Sequence, residues 1–178
     1  HFIYGPFIFG PAVVEGGIAK YWAEHLPEFA ASTEPLKNLF PQGGFALHGN
    51  SKIFGIPGIA AAIYVTAKPE KKKMVLGLLV SATLTAIVAG ITEPLEFTFI
   101  FIAPALFAVH AVLAATMATI MYAFGVVGNM GGGLIEIMTQ NWIPLFKNHS
   151  GTVFVQIIIG LLFTVIYFFV FRFLILKF

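Results

Sequence analysis

Gly90-Ile91-Thr92-Glu93-Pro94-Leu95-Glu96-Phe97 places two carboxylates, a hydroxyl and a proline inside sequence that is otherwise almost wholly apolar. Residues 74–89 run up to it and residues 98–127 run on from it. If these flanks lie in a bilayer, Glu93 and Glu96 lie at or near membrane depth. An ionised carboxylate there costs roughly 2.5 kcal/mol or more on insertion scales, so such a residue marks a substrate or ion site by default. Pro94 removes a backbone donor and steers Glu93 away from helical geometry. Gly90 loosens the chain just before it. Broken backbone at membrane depth is tolerated only where it is buried in protein or faces a wet cavity. A polar residue at a helix break is how transporters build binding sites.

Composition supports the bilayer. Of 178 residues, 58% are hydrophobic and 10% charged, against about 25% charged in soluble domains. Mean hydropathy is +0.91. Twenty phenylalanines suit a lipid-facing surface; the net charge of +2 says nothing about nucleic acid, and the basic residues are too few for a nucleic-acid partner to be expected. There is no cysteine, hence no disulfide, thiolate metal site or cysteine nucleophile. The chain begins at His1 and is apolar at once, so a piece of a longer chain is expected.

Outward from the central stretch, the elements read as follows. Residues 1–23 look like part of a membrane helix interrupted by Pro6, Gly10 and Pro11. His1 is open between a histidine packed in a bundle and a sugar or proton contact. Residues 21–38 hold most of the charge and read as a solvated loop. His25 and Glu28 have helix spacing, but two ligands without others nearby do not make a metal site.

Residues 40–68 are apolar but broken by Gly43, Gly44, Gly49, Gly55, Pro57 and Gly58, with His48, Asn50, Ser51 and Lys52 at the centre. The arms either side fall short of the roughly 20 residues a span requires. Two short arms with a polar tip describe a re-entrant hairpin; the alternative is a water-exposed loop. Lys71, Lys72 and Lys73 place the start of a membrane helix, residues 74–90, in the cytoplasm. Residues 92–103 form a second short arm, ending at Pro104. Residues 105–127 make a further helix carrying His110, which reads as packed. Residues 125–133 are glycine-rich but lack the Gly-Lys-Ser/Thr of a phosphate loop, and read as a hinge or tight turn. Residues 134–146, with Glu136, Asn141 and Trp142, are a short amphipathic piece, and 147–151 a polar loop. Residues 153–176 are the clearest span; Arg172 and Lys177 put the C-terminus in the cytoplasm. The expected fold is an all-α polytopic membrane protein with transmembrane helices and re-entrant hairpins.

The Gly-Ile-Thr-Glu-Pro element resembles the signature of enzyme IIC, the membrane subunit of the bacterial sugar phosphotransferase system, in its glucose, maltose and glucoside superfamily. Further stretches agree in the same order. Gly43-Gly44-Phe45 and Lys52-Ile53-Phe54-Gly55-Ile56-Pro57 resemble a family run of the same pattern, Ala67-Lys68-Pro69-Glu70 fits as well, and His1 stands ahead of Pro6-Phe7 as a family histidine does. The likeness covers residues 1–178, which would be the C-terminal, substrate-binding and transport part of the subunit. The spacer from Phe45 to Lys52 is longer than in glucose-type members.

The resemblance implies sugar uptake across the bacterial inner membrane coupled to phosphorylation, with the sugar held between two re-entrant hairpins. Its partners would be a phosphorylated enzyme IIB domain, the lipid bilayer and a second copy docked through the missing N-terminal half. His1, Lys52, Thr92 and Glu93 would contact the sugar, and Glu93 would act as general base on the attacking hydroxyl. No cofactor or metal is implied. The sugar stays open among maltose, an α-glucoside and glucose. Read from the residues alone, a proton- or sodium-coupled secondary sugar transporter stands beside this, with Glu93, Glu96 and His1 as a proton relay. A purely anchoring role leaves the two carboxylates unexplained. An intramembrane hydrolase lacks its motif.

Overall fold

The computed structural model describes residues 18–39 and 46–177. His1, Gly43 and the stretch around Pro6 lie outside them. Among the described residues the architecture is all-α, with one isolated bridge between Ala46 and Asn129.

Helix α1 is Ile18–Ala31 and α2 is Leu36–Leu39, where a solvated loop was expected. The charges of Glu24 and Glu28 are indeed exposed. Trp22 and Phe29, seven residues apart and so on one face, are buried together with Leu36. This apolar stripe outweighs Pro27, whose ring sits on the exposed side of the helix.

A π-helical turn, Ser51–Gly55, leads into α3, Ile56–Thr66. Its glycines seat it on the last helix. Gly55 lies beneath the Tyr167 ring, and a Cβ on Gly58 would collide with the Thr164 carbonyl. Opposite, a Cβ on Gly160 would enter the Phe54 ring. Small residues at such a seam let helices approach closely without a hydrophobic driving force from water. The Thr164 hydroxyl donates to the Phe54 carbonyl across the seam at 2.8 Å. The opposite arm of the expected hairpin falls largely in residues 40–45, outside the described residues.

Helix α4, Lys72–Ala89, stops at Gly90, whose φ of +77° is the left-handed cap that glycine adopts without strain. Helices α5, Glu93–Ile102, and α6, Pro104–Ala123, meet at Ala103. Helix α7, Leu134–Ile137, passes through a π-helical turn, Met138–Trp142, into α8, Ile143–Lys177. The polar stretch 147–151 is therefore helical, not a loop. It bends at His149, with φ −125° and ψ 26°. The His149 ring nitrogen Nε2 donates to the Phe29 carbonyl at 2.9 Å, and Asn148 donates to the Ala30 carbonyl at 2.8 Å. These side chains cap the end of α1, which is why polar residues occupy the bend.

Among the described residues, three helical stretches are long and apolar enough to cross a bilayer: Pro69–Ala89, Pro104–Ala123 and Leu134–Lys177. The last, 44 residues, would measure about 66 Å if straight, twice the roughly 30 Å hydrocarbon core; the bend at His149 divides it. Leu78, Val112 and Phe169 on their outer faces are exposed, as lipid-facing side chains are.

Candidate functional site

Three loops meet where α4 gives way to α5. They are residues 46–50, 90–92 and 128–133. The Met130 amide donates to the Ala46 carbonyl and the Gly49 amide to the Met130 carbonyl, both at 2.7 Å. Glycine makes the contact closer still. A Cβ on Gly49 would strike the Gly132 carbonyl, and a Cβ on Gly90 the backbone of Gly132 and Gly133. No other residue fits, because the obstacle is main chain that cannot rotate away. Glu136 fixes the glycine run: its Oε1 accepts from the Gly131 amide at 3.1 Å and the Gly132 amide at 3.0 Å. A carboxylate three residues into a short helix is well placed to satisfy amides at that helix start.

Below this junction runs a buried polar chain. Trp142 Nε1 donates to Gln156 Oε1 at 2.9 Å, and Gln156 Nε2 donates to Asn50 Oδ1 at 2.7 Å. Asn50 Nδ2 donates to the Leu47 carbonyl at 2.9 Å. Asn50 and Gln156 are essentially inaccessible. A fully satisfied network of this kind rigidifies its surroundings, so α8 holds the 46–50 loop in place.

Thr92 is buried and opens α5: its carbonyl accepts from the Leu95 amide at 3.0 Å and the Glu96 amide at 2.9 Å. Glu93 and Glu96 follow in the first turn, where carboxylates favour the helix dipole. The two differ in surroundings. Glu96 is half-buried, with Oε1 3.7 Å from His110 Nε2. That is an ion-pair distance, too long for a direct hydrogen bond. His110 is held from behind by Tyr167, whose hydroxyl donates to the His110 carbonyl at 3.2 Å. Glu93 is exposed, and among the described residues its side chain has neither hydrogen bond nor ion pair. The same holds for half-buried Lys52. The Lys52 ammonium acts electrostatically on both Glu96 and His48. His48 packs on Gly131. Partial burial and the Lys52 charge hold its imidazole below the ordinary range, against an opposing pull from Glu136.

The structure thus brings Lys52, Thr92 and Glu93 to one junction; His1 lies outside the described residues. Sequence reasoning gave Glu96 a role only in the proton-relay alternative, left His48 and Glu136 without roles and passed over Gln156. Gln156 had a signal, a lone amide inside a long apolar span. Glu136 had a weaker one, a carboxylate just after a glycine run.

A family model described as phosphotransferase system, EIIC, matches residues 1–115. The chain is 76% identical over its full length to a maltose-specific EIICB component from Bacillus subtilis (strain 168) and covers 34% of that protein. It is 71% identical over 177 residues to an alpha-glucoside-specific EIICB component from Leptotrichia buccalis, again 34% of that protein. It is 46% identical over 141 residues to a glucose-specific EIICBA component from Staphylococcus saprophyticus, 20% of that protein. The chain therefore spans about a third of the length of the most similar of these.

Proposed function

The chain belongs to the phosphotransferase system EIIC family, and on that premise we propose that it is the sugar-binding part of a carrier for maltose or a related α-glucoside. The carrier brings the sugar across the bacterial inner membrane and presents it to a phosphorylated IIB component. One observation carries this reading. Glu93 and Lys52 are charged side chains with neither hydrogen bond nor ion pair among the described residues, held at a junction tied by backbone hydrogen bonds and close glycine contacts. Unpaired charges are retained where a ligand completes them.

In this reading Glu93 accepts from sugar hydroxyls, as a carboxylate accepts several donors at once. His1 shares the sugar, with Thr92 and Lys52 beside it. Glu93 is also the general base, coming within about 3 Å of the attacking hydroxyl. The two short helices α3 and α5 are re-entrant arms, and the lysine cluster and C-terminus face the cytoplasm. The second copy docks through segments outside this chain. The sugar class rests on similarity: the relatives named for maltose and alpha-glucoside are 76% and 71% identical, the one named for glucose 46%.

The test uses the full-length carrier in vesicles with a panel of maltose, an α-glucoside and glucose. Sugar phosphate formed only with phosphorylated IIB, and best from maltose or the α-glucoside, is the expected result. Unmodified sugar accumulated under a pH or sodium gradient without phosphate donor would replace the proposal by the coupled-transporter reading.

A further inference from the structure

We propose that the cleft between α3 and α4 binds one anionic phospholipid, its acyl chain in the cleft and its headgroup on the lysines of the intervening turn. The cleft holds about 380 Å³ and is lined almost wholly by apolar atoms. Pro57, Ala60 and Ala61 form one wall; Leu76 and Ile87 mark the ends of the other. No residue of the carboxylate junction lines it. A sugar, which needs a hydrogen bond for each buried hydroxyl, does not fit such walls.

Length and register fit a lipid. Leu76 to Ile87 on α4 covers about 16 Å at helical rise. One leaflet of hydrocarbon is about 15 Å, half of a roughly 30 Å core. The wall therefore ends near the bilayer midplane if the turn sits at the interface. At the turn end the cleft is closed by Tyr64, and the Lys72 ammonium lies 5.4 Å from the centre of that ring. Lys68, Lys71 and Lys73 are exposed beside it, with Glu70 as the single opposing charge. An apolar helix from another part of a longer chain would fill the walls equally well, but it offers no counter-charge to the four lysines clustered at the rim, which topology alone would leave facing water. An anionic headgroup accounts for them, since basic residues at the membrane surface attract anionic lipid. Ala60 and Ala61 are small where the chain must enter.

The proposal does not depend on what the carrier transports, because its readout is lipid. Full-length carrier is taken into mild detergent and analysed by native mass spectrometry with phosphatidylglycerol or phosphatidylcholine of identical acyl chains. One phosphatidylglycerol should be retained in preference to phosphatidylcholine. Lys71→Gln and Lys72→Gln should each cut that preference about fivefold. Ala61→Phe should expel the lipid; Ala61 is exposed, so the larger ring fills the cleft without disturbing the core, and sugar binding should persist. Equal retention of both lipids would overturn the proposal, as would retention undiminished by Ala61→Phe. A cysteine at Ala61 that crosslinks to another segment of the carrier, and not to a photoreactive phosphatidylglycerol, would also overturn it and identify protein as the occupant.

Discussion

Two places in this chain depend on glycine, and they use it differently. At the α3–α8 seam, Gly55 and Gly160 make room for rings, those of Tyr167 and Phe54, and Gly58 alone makes room for main chain, the Thr164 carbonyl. At the junction before α5, Gly49, Gly90 and Gly133 make room for main chain. At Gly55 and Gly160 the seam can yield a little, because side chains rotate; at Gly58 it cannot. A junction built of backbone cannot. The junction leaves exposed Glu93 and half-buried Lys52 with neither hydrogen bond nor ion pair among the described residues. The place where main chain meets main chain at several glycines is thus the one that holds charge without a hydrogen bond. Preorganisation of that kind is expected where a ligand must be positioned before a phosphoryl group arrives.

Substitutions can break the comparison. The largest effect should come from Glu93→Gln, which keeps size and one acceptor but loses charge. Phosphorylation by the IIB component should fall about 10²- to 10⁴-fold if Glu93 is the base, with unchanged thermal unfolding because the side chain supports nothing in the fold. Equal loss of binding and of phosphorylation would leave it a sugar ligand only. Lys52→Ala comes next, weakening sugar binding by on the order of 1.5 to 3 kcal/mol, as for hydrogen bonds with a charged partner. Lys52→Arg should rescue it incompletely, since the planar fork differs from an ammonium. Wild-type affinity in Lys52→Ala would move this lysine out of the site.

The seam should behave in the opposite sense. Gly160→Leu drives a side chain into Phe54 and should cost about 1 to 3 kcal/mol of stability by overpacking. The folded fraction should still bind sugar with native affinity; a large affinity loss would mean the seam and the junction are one unit. Gln156 is where they touch. Gln156→Leu leaves Asn50 Oδ1 and Trp142 Nε1 unpaired, a cost of roughly 1 to 3 kcal/mol for each orphaned buried group. This variant alone should lower both stability and affinity.

Much of this was legible beforehand. The helix break at Gly90 declared itself because glycine acts through local sterics; Pro94, expected to steer Glu93 away from helical geometry, instead sits in the first turn of α5 after Glu93, where its missing amide costs no helical bond. The three spans declared themselves because hydrocarbon imposes length. Other features depend on contacts distant in sequence. Residues 21–38 read as loop because Glu24, Glu28 and Pro27 dominate locally; only the pocket that takes Trp22 and Phe29 makes them helical. Residues 147–151 read as loop for the same reason, until the α1 carbonyls appear beside Asn148 and His149. The pairing of Gly90 with Gly133 is invisible in sequence, since glycine carries no side chain to announce a partner.

The smallest effect tests the electrostatics of the junction without touching its shape. His48 feels Lys52, which disfavours its protonated form, and Glu136, which favours it; burial adds to the first. The balance holds the imidazole below its usual value. Removing the ammonium in Lys52→Met should raise the His48 pKa, because a protonated ring no longer meets a like charge. Removing the carboxylate charge in Glu136→Gln should lower it further. Opposite shifts in the two variants, followed by NMR of the labelled imidazole, would show that one histidine reads both loops across the glycine contact. Identical shifts, or none, would mean the 46–50 and 128–133 loops are further apart in the working protein than the Gly49 and Gly132 contact requires. The seam offers no such reporter, as no ionisable pair crosses it, and that contrast is the comparison at its sharpest.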